Sequence, residues 1–246
     1  MWLVLCSLND AAAVWAYQGL SRCGLWPVHL IAVESLGYCP RWHHRLSATG
    51  DSTSFTLPDG RVIESQSVRG TVNRILAPAT IQMTATVPED RGYAAQEMFS
   101  FYVSWLKTLP EPILNVPTPQ GLCGRWRHLS EWIGLAAQAG LQTPRYRMSS
   151  QDASGAGQHT AIPAGQMVKT AVVLRDAVFG MDLPSDVAAS GVRLAELAGV
   201  ETLGIDFYHD NHDKKSQWTF ASATPMPDFR LGGGPLIEKL SHILKG

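Results

Sequence analysis

The sequence predicts an α/β fold with one or two domains. An apolar strand at residues 2–6 precedes a helix that ends near Arg22, and a second strand follows at residues 28–33. This strand–helix–strand order with short links is typical of a parallel sheet. A length of 246 residues suits one or two domains, and an apolar fraction of 45% is ample for a packed core.

Local signals set the elements of the first half. Asn9 and Asp10 are suited to cap the first helix, and Gly24 follows its end. The turn sequence at residues 58–60, Pro-Asp-Gly, separates two short alternating runs and predicts a β-hairpin. We expect a strand at residues 67–75 and then an amphipathic helix at residues 92–109.

The second half continues the alternation of strands and helices. Residues 145–166 are rich in Ser, Gly and Gln and are predicted to form a loop. Ser185 is expected to cap a helix that Gly199 ends, and Gly232–Gly234 is read as a linker. Helices are predicted at residues 127–139, 185–198 and 235–244, and strands at 113–117, 141–144, 167–174, 200–207 and 217–223, with a hairpin turn at 208–216.

Composition excludes several functional classes. A net charge of −1 with scattered Arg and Lys gives no reason to propose nucleic acid or an anionic membrane as a partner. No apolar run reaches the length of a membrane span, and the N-terminal apolar run is too short for a signal peptide. The four cysteines lack C-x-x-C spacing, which favours free thiols in a reducing cytoplasm over disulfides.

Two segments carry a family resemblance. Leu203-Gly-Ile-Asp-Phe207, followed by Trp-Thr-Phe-Ala-Ser-Ala-Thr-Pro from residue 218, resembles the end of an ATP-grasp ligase, where G-x-D-F precedes F-L-E-V-N-P. The predicted hairpin and the following strand with Val-Asn-Arg resemble the peptide-modifying, graspetide-synthetase type. The resemblance implies an α/β, ATP-grasp-like fold with an N-terminal parallel-sheet domain at 1–118 and a C-terminal α+β domain at 119–246.

The resemblance also implies that the site is degenerate. In active ATP-grasp enzymes the Asp, Glu and Asn of these strands hold the magnesium ions of ATP. Here Asp206 is kept, whereas Ser222 stands at the Glu position and Thr224 at the Asn position. Magnesium gains most from anionic carboxylates, so a hydroxyl in place of the bridging carboxylate weakens the site. Lys169 and Asp228 remain as weak nucleotide-binding candidates, although a lone strand lysine is more often a solvated side chain.

A second departure concerns the small lobe that covers the nucleotide in active members. Such a lobe needs on the order of 60 residues, and residues 145–166 offer about a third of that. We therefore expect a truncated domain that lacks most of this lobe.

A cluster of ligand-type residues leaves a metal site open. His209, Asp210, His212 and Asp213, together with Asn211, have the spacing to hold zinc or nickel. The family places the tip of a hairpin here, where Asp and Asn also serve local turn bonds. The run Trp-His-His-Arg at 42–45 has no recognisable nucleophile elbow to pair with a catalytic histidine.

Three functions stay open, and the first is favoured. It is a non-catalytic ATP-grasp homologue, without catalytic residues or cofactor, that binds a peptide or protein partner in a modification pathway. The second is an active ATP- and Mg-dependent carboxylate–amine ligase with a rearranged site, and the third is a metal-dependent enzyme that uses residues 209–213. Tryptophan is favoured at interfaces, so four tryptophans are candidate partner-binding residues: Trp15, Trp26, Trp42 and Trp126.

Overall fold

A computed structural model describes residues 1–79, 86–146, 167–209 and 218–246. The chain divides into two compact units. Unit 1 comprises residues 1–126 together with 234–246, and unit 2 comprises residues 127–233. None of the helices in these described ranges is long and apolar enough to cross a membrane.

Unit 1 contains a parallel sheet of four strands in the order β2-β1-β6-β7. Its strands are β1 (Trp2–Cys6), β2 (Val28–Ala32), β6 (Gly70–Asn73) and β7 (Ile113–Leu114). The strand–helix–strand prediction is confirmed, since helix α1 (Ala11–Arg22) connects β1 to β2 and Asp10 caps it by accepting from the backbone N–H of Ala13. The strand predicted at 113–117 is only two residues long.

A second, antiparallel sheet of unit 1 has the order β3-β4-β5. The strands are β3 (Arg41–Arg45), β4 (Ser52–Thr56) and β5 (Val62–Glu64). Strands β4 and β5 are the predicted hairpin, whereas β3 was not predicted. Tyr102 and Trp105 of helix α3 (Arg91–Lys107) are fully buried in the core of this unit.

Two further helices belong to unit 1: α2 (Val33–Leu36) and α6 (Gly233–Lys245, in this unit from residue 234). Helix α6 packs on α1 so closely that a Cβ at Gly19 would lie 2.7 Å from Cδ1 of Ile237. The reading of Gly232–Gly234 as a linker is wrong, because Gly233 and Gly234 open α6. Leu236, Ile237 and Leu240 of α6 are buried, and the helix that this packing stabilises begins at the glycines.

Unit 2 is built on an antiparallel sheet in the order β11-β10-β8-β9. The elements of this unit are β8 (Met167–Leu174), β9 (Ala177–Phe179), β10 (Thr202–His209), β11 (Trp218–Thr224), α4 (Leu129–Ala139) and α5 (Ser185–Ala198). Residues of α4 and α5 share one apolar core with Ile205 and Phe207 of β10. Gly199 ends α5 in the left-handed conformation as predicted, but Pro184 rather than Ser185 occupies its N-cap.

All four cysteines are free thiols, as the sequence indicated. Burial raises the pKa of the Cys6 thiol to about 12 and that of Cys123 to about 11. Both thiols are therefore protonated and unreactive near neutral pH.

Candidate functional site

Asp206 lies on the face of the unit 2 sheet that points away from the core shared with α4 and α5. It is half-buried, and its neighbours across the strands are Thr170 of β8 and Ser222 of β11. The Thr170 hydroxyl donates to Oδ1 of Asp206 over 2.6 Å, and the Ser222 hydroxyl donates to Oδ2 over 2.6 Å. Each carboxylate oxygen is thus held by a short, charge-assisted hydrogen bond.

A β-bulge sets the position of Ser222. The pairing of β10 with β11 shifts register after Asp206, so that Asp206 faces Ser222 while Phe207 faces Phe220. Ala221 is the extra residue, and it lets Phe220 enter the core while Ser222 stays on the Asp206 face. The bulge therefore assembles the Asp206–Ser222 pair.

Thr224 and Asp228 are both engaged close to their own positions. The Thr224 hydroxyl accepts from the backbone N–H of Met226 over 3.2 Å. The Asp228 carboxylate accepts from the Arg230 guanidinium at 2.7–3.1 Å and from the Arg230 backbone N–H at 3.1 Å. Asp228 therefore caps a short turn of helix and forms a local ion pair.

Lys169 points to the opposite face of the sheet from Asp206. It pairs with Phe207, one position along from the Thr170–Asp206 pair, and alternate strand residues point to opposite faces. Its Nζ lies 5.4 Å from the centroid of the Trp218 ring, a cation–π contact. The structure therefore does not bring Lys169 and Asp206 together.

His209 lies in strand β10 rather than at a hairpin tip, and it is only 8% exposed. Its ring centroid lies 4.2 Å from that of Trp218. Asp210, Asn211, His212 and Asp213, the other members of the predicted metal cluster, lie outside the described residues. Across the ranges that are described, no group of three or more His, Cys, Asp or Glu side chains is arranged to hold a metal ion.

The donor set on the Asp206 face does not fit a magnesium ion bound to nucleotide. Magnesium requires near-octahedral oxygen ligands and gains most from carboxylates and phosphates. Here the described face offers Asp206 as a carboxylate with a hydroxyl donor on each oxygen. A metal would find a single negative charge here, with hydroxyl groups in place of a second carboxylate.

Unit 2 also contains a cavity that the sequence did not indicate. Its volume is about 260 Å³, and it lies between the N-terminus of α5, the turn after α4 and Trp218. Asp186 and Ser190 of α5 supply polar groups, and Gln142 lines the opposite side. The backbone carbonyl of Gln142 also accepts from the backbone N–H of Phe220 over 2.7 Å, which fixes this turn beside β11. Only tertiary packing brings these segments together, so no local sequence motif predicts the cavity.

The four tryptophans proposed as partner contacts occupy different environments. Trp26 is 81% exposed and Trp126 is 70% exposed, while Trp15 is half-buried. Trp42 packs against core aromatics, with ring centroids 4.9 Å from Phe55 and 5.0 Å from Trp105. Trp26 and Trp126 therefore expose most of their surface to solvent, and Trp42 does not.

No family model matches the sequence, and no curated protein matches it. Solved structures do match over nearly the whole chain. The macrocyclase MdnC of Microcystis aeruginosa, bound with its precursor peptide MdnA, superposes with a TM-score of 0.75 at 12% identity, covering 99% of both chains.

A second match decides the fold. The ATP-grasp ligase of Chryseobacterium gregarium, in complex with ADP and a leader and core peptide, superposes with a TM-score of 0.70 at 11% identity and covers 99% of this chain and 95% of that one. The chain has the ATP-grasp ligase fold. The ATP-grasp ligase PsnB, complexed with a minimal precursor, Mg and ADP, agrees with a TM-score of 0.63 at 17% identity, over 100% and 98% of the two chains.

Within this fold, Asp206 lies in the segment that resembles the metal-binding strands, and it is hydrogen-bonded to hydroxyl groups. Both carboxylate oxygens of Asp206 accept hydrogen bonds from neighbouring strands, one from Thr170 and one from Ser222. The segment 147–166, on which the expectation of a truncated lobe depends, lies outside the described residues. That expectation stays a prediction.

Proposed function

We propose that this chain is a non-catalytic ATP-grasp-fold protein that binds a peptide or protein partner in a peptide-modification pathway. The observation that carries the proposal is the Asp206 carboxylate, whose two oxygens are held by Thr170 and Ser222 at 2.6 Å. A single carboxylate flanked by hydroxyl groups contributes to the stability of the sheet, and it offers a metal–nucleotide complex less negative charge than a pair of carboxylates would.

Peptide binding is supported by the structural neighbours. MdnC is bound with a precursor peptide, PsnB with a minimal precursor, and the Chryseobacterium ligase with a leader and core peptide. We assign the cavity beside α5 to a peptide side chain, because it combines the exposed carboxylate of Asp186 and the hydroxyl of Ser190 with the apolar ring of Trp218.

Thermal unfolding with ATP and magnesium tests the proposal. A ligand at 100 times its dissociation constant adds about 2.7 kcal/mol to the free energy of unfolding. We expect no shift of the melting temperature in millimolar ATP with magnesium. A clear shift that Asp206→Asn abolishes, and that the control Asp182→Asn at an exposed position of unit 2 retains, would instead favour the active ATP-dependent ligase.

Partner binding has its own readout in tryptophan fluorescence. Covering Trp26 or Trp126 with a partner removes its indole from water, which moves the emission to shorter wavelength. We expect this shift with a precursor peptide or protein from the same pathway, and expect Trp26→Phe combined with Trp126→Phe to remove it. An unchanged spectrum with every such protein leaves the binding role without support.

A further inference from the structure

The sheet β3-β4-β5 of unit 1 has one face turned to the core and one turned to solvent. In β3, Trp42 and His44 point inward: Trp42 packs on Phe55, and Nε2 of His44 lies 2.9 Å from the Ser104 hydroxyl of α3. The alternate residues, Arg41, His43 and Arg45, are all exposed on the other face.

A row of hydroxyl groups lies beside these basic side chains. Arg41 pairs with Thr56, His43 with Ser54 and Arg45 with Ser52, so each basic residue has a hydroxyl residue as its neighbour on the same face. The next strand, β5, contributes Val62 and Glu64 to this face. Glu64 is two strands from β3, which is roughly 10 Å, so its charge borders the basic row without entering it.

Strand β3 is also an edge. It pairs with β4 on one side, and within the described chain no strand pairs with its other side. An added strand would lie about 4.8 Å away, with side chains directly opposite Arg41, His43 and Arg45 on the exposed face. Backbone pairing and charge pairing would therefore act on the same segment.

We propose that β3 is a docking edge for an extended acidic segment of a partner protein, with carboxylates at alternate positions. The argument is charge complementarity: the whole chain has a net charge of −1, yet two arginines flank a histidine on one face of a single strand, at a spacing of two residues. None of the outward residues of β3, β4 and β5 is Phe, Tyr or Trp, and binding of single-stranded nucleic acid relies on aromatic stacking platforms. This site is in unit 1 and does not depend on the chemistry of Asp206.

Fluorescence anisotropy with labelled peptides tests the docking edge. The probe is a short peptide in which Glu alternates with Val, and the comparison peptide has the same composition with its Glu residues in one block. We expect R41Q/R45Q to weaken binding of the alternating peptide roughly fivefold. The matched variant R22Q/R91Q removes the same charge from two exposed helical positions and should bind as the unaltered protein does.

A charge exchange and a salt titration complete the test. R41E/R45E should reject the Glu peptide and bind one in which Lys alternates with Val. On the unaltered protein, binding should weaken as salt is added, because exposed ion pairs are screened. Binding that ignores salt, equal binding of the block peptide, or no effect of R41Q/R45Q overturns the proposal. Tighter binding of an oligothymidylate assigns the face to nucleic acid and also overturns it.

Discussion

Ser222 donates its hydroxyl proton to Oδ2 of Asp206 over 2.6 Å, across the β-bulge of strand β11. Ser222→Ala leaves this half-buried oxygen without that donor, and we expect a loss of about 1 kcal/mol in the free energy of unfolding. Urea unfolding measures it, and an unchanged midpoint contradicts the assigned role of the pair.

Ser222→Glu tests the same position in the opposite sense. A second carboxylate beside Asp206 introduces like-charge repulsion, so we expect the protein to be destabilised without magnesium and to regain stability when magnesium is added. Melting temperatures with and without the ion check this. Ser222→Gln has a similar size but no charge, and it should show no response to magnesium.

Asp10 and Arg74 form an ion pair of 2.7 Å whose side chains are only 7% and 5% exposed. Asp10→Asn leaves the guanidinium of Arg74 buried without its counter-charge, and we expect a loss of about 3–5 kcal/mol. The exposed pair of Arg175 and Glu201 is the matched control, because Glu201→Gln should cost less than about 1 kcal/mol. Similar losses in the two variants would contradict the importance of burial.

The contact of Gly19 with Ile237 makes the outcome of Gly19→Ala depend on its neighbour. A methyl group there would lie 2.7 Å from Cδ1 of Ile237, so we expect overpacking of about 1–3 kcal/mol to outweigh the better helix propensity of alanine. In an Ile237→Ala background the same change should become stabilising. Gly134→Ala, where the added methyl group would meet no other part of the protein beyond its own helix backbone within 4 Å, should stabilise the native protein by about 0.5–1 kcal/mol.

Stability should also fall in mild acid. Burial lowers the pKa of His44 below its ordinary value of 6.5, with Asp51 opposing the shift, and burial and Arg61 lower that of His29. The unfolded chain therefore takes up these protons first, so this stability is complete above pH 6.5 and is lost as pH falls through the folded pKa values.

His44→Gln tests the contribution of one imidazole to this pH dependence. The ring of His44 bridges the hydroxyls of Thr53 and Ser104 at 2.8 Å and 2.9 Å. We expect the variant to have a shallower decline of the urea midpoint between pH 6.5 and pH 5 than the unaltered protein. An identical decline of the urea midpoint in the two proteins would show that another group, and not His44, takes up the proton.

Local patterns were sufficient for helices α1, α3, α4, α5 and α6 and for the positions of most strands, but helix α2 was not predicted. The apolar spacing of α3 and the left-handed glycine after α5 are signals written in neighbouring residues. Strand β3 was missed because its exposed face carries Arg and His and only Trp42 marks its inner face as apolar.

Long-range register explains what the sequence could not show about the candidate site. The motif placed Asp206 and Ser222 on adjacent strands, but the bulge that aligns their side chains is a property of the folded pair. The register of β8 on β10 places Lys169 on the face opposite Asp206. A shift of this register by one residue would move Lys169 to the Asp206 face.

Helix α6 completes unit 1 from a segment that comes after unit 2 in the sequence. This helix belongs to unit 1: Trp2 donates its indole N–H to the carbonyl of Leu244, and Lys245 donates to the carbonyl of Cys23. Unit 2 is thus encoded as an insertion within unit 1. During synthesis the residues of unit 2 are made before α6 can complete unit 1, so an alteration in α6 should also destabilise the N-terminal sheet.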